Sequence, residues 1–278
     1  MDLRHGSLFS GIGMIDYGLE LAGFRTAWQV EIDPYCQAVL RKHWPGVPLY
    51  GDVKECGSGR EHELERVDLV SGGFPCTDIS IAGHGPGIGT PDNPTKRSGL
   101  WYEFHRIVRE MRPRWAVIEN VARLLHTDDG AGVIFDMEKE GYACWPFLLG
   151  SHVIGAPHER RRAWIVCRDN HSHGDCDTGA GVGQGQLPDN LRRAFEEAVE
   201  KEHHWKCELA AGDDGTHGPP EEPEPAAYSR GVRRVHDDSH WVDRLRCCGN
   251  SVIWFFPAVI GAYIAQAGEG GEDGDRGD

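Results

Sequence analysis

The chain has 278 residues, of which 39% are hydrophobic, and nine tryptophans. This is enough for one large domain, or for one large and one small domain. No apolar run reaches the length of a membrane-spanning helix, and the N-terminus lacks the charged-then-apolar pattern of a signal peptide. The nine cysteines are scattered and form no CxxC pair, which disfavours a disulfide framework and favours a reducing compartment. A soluble protein of the cytoplasm, without a membrane partner, is expected.

The formal net charge of −15 argues against strong non-specific affinity for nucleic acid. Much of this charge is local, because the segments 213–225 and 268–278 each contain five acidic residues. Arginines cluster elsewhere, at 160–162, 192–193, 233–234 and 244–246. A basic groove on an acidic body is therefore compatible with the composition.

The chain begins with a predicted strand at 3–9, a turn containing Gly11 and Gly13, and a helix closed by Gly23. This order is typical of a nucleotide-binding unit, in which glycines let the backbone approach a ligand at a helix N-terminus. A second strand at 26–32 contains Glu31, at the spacing where such units place an acid on ribose hydroxyls. The glycine spacing is not GxGxxG, so a dinucleotide is not favoured.

Asp33 and Pro34 predict the start of a helix that runs to about His43. A short strand at 48–50 follows and ends in Gly51-Asp52-Val53. An acid at this place can reach an adenine amino group, or it can be a surface turn residue.

An apolar strand at 67–70 leads into Gly72-Gly73-Phe74-Pro75-Cys76. The glycines permit sharp backbone geometry and the proline stiffens the approach. Cysteine is a strong nucleophile as the thiolate, although a half-buried structural cysteine explains this stretch equally well. A long Gly/Pro-rich loop at 82–98, without regular structure, and a helix at 99–111 are expected next.

A buried strand at 115–118 ends in Glu119-Asn120-Val121. Open α/β sheets bind ligands at the carboxyl ends of their strands, so Glu119 is expected beside Cys76, the alternative being an acid near a helix N-cap. A helix at 132–140 and strands at 143–149 and 163–167 follow. Between these strands, Arg160 to Arg162 are typical of phosphate or carboxylate contacts, or of a solvated basic turn.

The ordered motifs resemble those of cytosine-C5 DNA methyltransferases, in particular the short enzymes of phages and prophages. The resemblance covers residues 3–168 and 242–262. The motifs that carry it are Phe9-Ser10-Gly11-Ile12-Gly13, Glu31, Gly51-Asp52-Val53, Gly72 to Cys76, Glu119-Asn120-Val121, His158-x-Arg160-x-Arg162 and Gly249-Asn250-Ser251-Val252.

The resemblance implies an α/β, Rossmann-like S-adenosylmethionine-dependent methyltransferase fold with a small target-recognition domain. The domains would be 1–168 for catalysis and cofactor binding, 169–241 for target recognition, 242–267 for a helix returning to the first domain, and 268–278 for a disordered acidic tail. Double-stranded DNA would be the substrate of a monomeric enzyme, with a possible cognate restriction endonuclease.

By the same similarity, the catalytic residues would be Cys76, Glu119, Arg160 and Arg162. Cys76 would add to C6 of a flipped-out cytosine, and Glu119, with a raised pKa, would hydrogen-bond the N3/N4 edge. The arginines would orient the base and phosphate. S-adenosyl-L-methionine would be held by Phe9, Gly11, Ile12, Gly13, Glu31, Ile32, Asp52, Val53, Pro75, Leu100, Asn250 and Val252.

Two other functions remain open: methylation of cytosine in RNA, and a non-catalytic binding protein in which the motifs survive without turnover. The region 169–246 carries no readable target code. Its neighbouring sets of His171, His173 and Cys176, and of His203, His204 and Cys207, are interpreted as polar loops rather than a zinc site, and no metal is expected.

Overall fold

A seven-stranded sheet organises the part of the chain that the computed structural model describes, which is residues 2–75, 87–95, 98–151, 160–170, 252–253 and 255–269. The strands are β1 (Arg4–Leu8), β2 (Arg25–Val30), β3 (Leu49–Tyr50), β4 (Leu69–Gly72), β5 (Gly89–Thr90), β6 (Asn93–Pro94), β7 (Trp115–Val121), β8 (Tyr142–Gly150) and β9 (Arg161–Asp169). The helices are α1 (Met14–Leu21), α2 (Pro34–His43), α3 (Trp101–Met111), α4 (Asp128–Lys139) and α5 (Phe255–Glu269).

The strand order in the sheet is β3-β2-β1-β4-β7-β9-β8. The first five strands in this order, β3, β2, β1, β4 and β7, pair in parallel, whereas β9 runs antiparallel to both of its neighbours. The parallel strands therefore all end at one edge of the sheet. Because β9 is reversed, its first residues lie at that same edge, where Arg162 is opposite Val121.

Helices cover both faces of the sheet. On one face α3 and α4 bury Phe104, Ile107 and Val133 completely. On the other face α1 and α5 pack over Trp164 and Val166. No helix among the described residues is both long and apolar enough to cross a membrane. The alternating strands and helices confirm the α/β class expected from the sequence.

Local capping chemistry places α2 where the sequence predicted it. Asp33 accepts hydrogen bonds from the backbone N–H groups of Tyr35 at 2.9 Å and Cys36 at 3.2 Å, and Pro34 occupies the first turn, where it costs no helical hydrogen bond.

Other boundaries differ from the expectation. The loop at 82–98 is not wholly irregular, because β5 and β6 form an antiparallel pair within it. The carboxylate of Asp129 accepts the N–H of Ile88 at 3.0 Å, and the Tyr102 hydroxyl donates to the Gly89 carbonyl at 2.9 Å. The helix predicted at 132–140 begins earlier, at Asp128. The last helix reaches Glu269, beyond the boundary predicted at residue 267.

Candidate active site

The turn after β1 has an unusual backbone. Phe9, Gly11 and Gly13 have φ angles of 54°, 56° and 83°. Side chains rarely adopt this region, and it costs Phe9 about 1 kcal/mol, so the surrounding structure must hold the turn. A Cβ atom at Gly11 would meet no atom within 4 Å, whereas one at Gly13 would meet the ring of Trp44. The backbone at Gly11 is thus open to a ligand.

The carboxylate of Glu31 fastens this turn to the end of β2. It accepts the N–H of Gly11 at 2.7 Å on one oxygen and that of Asp33 at 2.8 Å on the other. Burial raises the pKa of Glu31, although the two backbone hydrogen bonds oppose this shift. Ile12 is half-buried in the turn, and Ile32 is exposed beside Glu31.

Asp52 and Val53 lie just after β3 and have different surroundings. Asp52 is half-buried and accepts the N–H of Lys54 at 2.9 Å, which caps a short 3-10 helix at Val53–Glu55. Val53 is buried in the core under α3. Asp52 thus caps the turn that follows β3, and its carboxylate lies at the same sheet edge as Glu31.

Glu119 lies inside β7, not after it, because β9 pairs with β7 as far as Val121. Glu119 is 8% exposed, and its carboxylate forms an ion pair with Arg162, with 3.0 Å between Oε1 and Nε. Burial raises the pKa of Glu119 to about 7, and the charges of Arg162 and Arg160 hold it from going higher. Glu119 can therefore exchange a proton near neutral pH.

Gly73 gives this carboxylate its space. A Cβ atom at Gly73 would be 2.5 Å from Glu119 Oε2, and one at Gly72 would meet the carbonyl of Leu8. Neither glycine has a positive φ. The expectation that these glycines serve a sharp backbone turn is therefore wrong, since what they provide is room for close neighbours.

Asn120 connects β7 to the segment that leads to Cys76. Its side-chain amide donates to the carbonyl of Phe74 at 3.1 Å, and its Oδ1 accepts the N–H of Val121 at 2.8 Å. Asn120 is 3% exposed, so this bond is shielded from water. The sequence motif contained Asn120 but gave it no task.

Arg160 is fixed through its backbone. Its N–H donates to Ser151 Oγ at 2.9 Å, and its carbonyl accepts the N–H of Ser151 at 3.0 Å. Burial and the neighbouring Arg162 lower the pKa of Arg160, against the effect of Glu119. Ser151 was not singled out in the sequence, because only the fold brings it to this place.

Some of the remaining candidate site residues lie in the described part of the chain, and others lie outside it. Leu100 packs against the core on the α3 face, and Val252 is buried in the core on the α5 face. Pro75 is half-buried and follows the segment that Asn120 holds. Cys76, His158 and Asn250 lie outside the described residues, as do the six histidines and cysteines considered for zinc and the acidic tail beyond Glu269. None of the four cysteines in the described part, Cys36, Cys56, Cys144 and Cys167, forms a disulfide bond.

The sheet and the site at its edge define a class. An open, mostly parallel sheet with one reversed strand near its edge, a glycine turn after β1 and an acid after β2 is the architecture of S-adenosylmethionine-dependent methyltransferases. The open backbone at Gly11 and the acids at 31 and 52 fit that cofactor.

A family model, C-5 cytosine-specific DNA methylase, matches residues 3–214, and the chain belongs to this family. It is 36% identical over 168 residues to the type II methyltransferase M2.BsuMI of Bacillus subtilis, covering 58% of this chain and 40% of that protein. With M.AquIA of Picosynechococcus it shares 35% over 184 residues, covering 60% of this chain and 72% of the relative.

A viral relative, M.CviJI of a Paramecium bursaria Chlorella virus, is 28% identical over 243 residues, covering 76% of this chain and 64% of the relative. A crystal structure of an E. coli DNA modification methyltransferase encoded within a prophage has a TM-score of 0.50 at 23% identity, covering 60% of this chain and 47% of that one. This likeness supports the fold. The chain spans between 40% and 72% of the length of the three relatives named here.

Proposed function

We propose that the chain transfers a methyl group from S-adenosyl-L-methionine to C5 of cytosine in double-stranded DNA, with Cys76 as the nucleophile. The observation that carries the proposal is the buried Glu119, paired with Arg162 and lying against Gly73, three residues before Cys76. A carboxyl group with a pKa near neutrality can give a proton to a base and accept one back.

The target base would have to leave the duplex, since a thiolate cannot reach the ring face within a base stack. Cys76 would then add to C6, while Glu119 donates its proton to N3 and takes up the negative charge that develops on the ring. C5 becomes an enamine-like carbon. S-adenosyl-L-methionine, when bound, would supply the methyl group as an electrophilic carbon. The bond from C5 to this carbon would form as the sulfonium–methyl bond breaks, and S-adenosyl-L-homocysteine would leave.

The reaction would end with loss of the C5 proton to a base, expulsion of the Cys76 thiolate from C6 and return of the N3 proton to Glu119, which restores the aromatic ring and the protonated carboxyl group. Arg162 and Arg160 would keep Glu119 oriented and add positive charge near the thiolate. Asn120 would hold the Phe74 carbonyl, and with it the approach to Cys76.

The cofactor would lie along the edge formed by the ends of β1, β2 and β3. Phe9, Gly11, Ile12 and Gly13 would line it, Glu31 and Ile32 would contact the ribose side, and Asp52 and Val53 the adenine. Pro75, Leu100, Asn250 and Val252 would complete the site.

The remaining organisation is also proposed. Residues 1–168 and the C-terminal segment that contains α5 would form the catalytic domain, and 169–241 would read the DNA target. The type II names of the relatives favour a restriction-modification setting, with a cognate endonuclease as a possible partner of a monomeric, cytoplasmic enzyme.

The test is transfer of tritiated methyl groups from S-adenosyl-L-methionine to plasmid DNA, with tRNA as a second acceptor. The wild type should label DNA, Cys76→Ala should lose the activity, and Cys144→Ala should keep it, because Cys144 lies on β8, away from the described site residues. Labelling of tRNA alone would assign the RNA function instead. A folded wild-type protein that binds the cofactor and labels neither acceptor would favour a binding protein.

A further inference from the structure

Arg106, on the buried side of α3, contacts two different parts of the molecule. Its Nε donates to Glu103 at 2.8 Å, and its Nη1 lies 2.9 Å and 3.0 Å from the two carboxylate oxygens of Glu110. Its Nη2 donates to the backbone carbonyls of Val53 at 3.1 Å and Cys56 at 2.8 Å. A guanidinium has five N–H donors, and these five contacts account for all of them.

The two carbonyls belong to the turn that follows Asp52. The same turn is held from within, since Asp52 caps it through the N–H of Lys54 and its carbonyl accepts from Glu55 N–H at 3.0 Å. Arg106 adds the external attachment. It therefore fixes the position of the turn relative to α3, and not only its internal shape.

The turn and the helix fit each other closely at a second point. Gly57 has a φ of 117°, and a Cβ atom there would be 2.5 Å from Glu110 Oε2 and 2.6 Å from Arg106 Nη1. The N–H of Ser58 also donates to Glu110 Oε2 at 3.0 Å. With its side chain 11% exposed, Arg106 makes these bonds shielded from water, where an unpaired carbonyl is costly.

We infer that Arg106 is a positioning residue for the cofactor, which fastens the turn bearing Asp52 and Val53 to α3 at the distance that the adenine requires. The inference rests on the proposed function, in which this turn contacts the adenine. Lysine cannot replace arginine here, because an ammonium group has three donors and no planar fork with which to reach both carbonyls and both carboxylates.

The experiment compares the wild type with Arg106→Lys and with Arg109→Lys. The second variant is the matched control, because it makes the same change at an exposed arginine on the same helix. Calorimetry gives the Kd for S-adenosylhomocysteine, and steady-state transfer gives kcat and separate KM values for S-adenosyl-L-methionine and plasmid DNA. Arg106→Lys should raise the Kd and the cofactor KM about tenfold, while the KM for DNA stays within about twofold. Arg109→Lys should match the wild type.

Gly57→Ala provides a second variant if Arg106→Lys fails to fold, because it disturbs the same contact and leaves the guanidinium present. It should raise the cofactor Kd in the same direction. Two outcomes would overturn this inference and leave the proposed function standing. In the first, the wild type binds the cofactor and the variants have the same Kd. In the second, the KM values of the variants for cofactor and for DNA rise equally. A folded wild type that does not bind S-adenosylhomocysteine would overturn the proposed function and the inference with it.

Discussion

Replacing Glu119 with glutamine should change how the stability of the protein depends on pH. Glu119 is 8% exposed, and burial raises its pKa from 4.5 to about 7. A carboxyl group whose pKa rises on folding binds its proton more tightly in the native state. The resulting stabilisation is fully present below pH 4.5 and is lost as the pH rises through about 7.

The magnitude follows from the shift. A rise from 4.5 to about 7, at roughly 1.4 kcal/mol for each pH unit, corresponds to about 3 kcal/mol. The free energy of unfolding of the wild type, relative to that of Glu119→Gln, should fall by about this amount between pH 4.5 and pH 8. The ion pair with Arg162 forms only with the ionised carboxylate, so its effect is already contained in the pKa of about 7.

The assay is reversible urea unfolding of both proteins at half-unit steps across this range. Glu138→Gln is the control for the same chemical change at an exposed position of α4. A difference between the wild type and Glu119→Gln that varies with pH by less than about 0.5 kcal/mol more than the difference for this control would refute the reasoning that a buried Glu119 titrates near neutral pH.

Two further changes test the geometry around Glu119. Gly73→Ala places a methyl group 2.5 Å from the carboxylate and should lower turnover about 100-fold by displacing it, as methyl-transfer kinetics would show. Its control is Gly132→Ala on α4, where a Cβ atom would meet no atom within 4 Å. Thermal unfolding should show that this variant is as stable as the wild type or slightly more stable, because alanine favours a helix over glycine. A loss of stability would contradict the open space at Gly132. Asn120→Ala removes the bond to the Phe74 carbonyl and should cost about 1 kcal/mol in urea unfolding, with cofactor affinity unchanged by calorimetry. Unchanged stability would show that this bond is dispensable.

Features set by local chemistry could be predicted from the sequence. The cap at Asp33 and the proline after it define the start of α2 without help from the rest of the chain. The order of β1, the glycine turn and α1 could be predicted for the same reason. The start of α4 was missed because Gly130 and Gly132 lower the helical propensity of its first turns, whereas packing and the acidic residues at Asp128 and Asp129 favour a helix there.

Features set by distant partners could not be predicted. Glu119 belongs to β7 because β9, more than forty residues later, pairs along it. The need for glycine at position 73 comes from the Glu119 carboxylate beside it, and the need for arginine at position 106 comes from two carbonyls about fifty residues earlier in the chain. In the sequence alone, Arg106 is one more arginine on an amphipathic helix.

The most direct measurement of the proposed reaction is covalent trapping on DNA in which every cytosine is 5-fluorocytosine, so that no knowledge of the target sequence is needed. Fluorine at C5 cannot leave as the proton does, so the enzyme should remain attached after methyl transfer. With S-adenosyl-L-methionine, the wild type should give a complex that survives denaturation, with the base attached to the peptide containing Cys76, and Cys76→Ala should give none. A folded, cofactor-binding wild type that forms no such complex, or an adduct on another residue, would contradict Cys76 as the nucleophile.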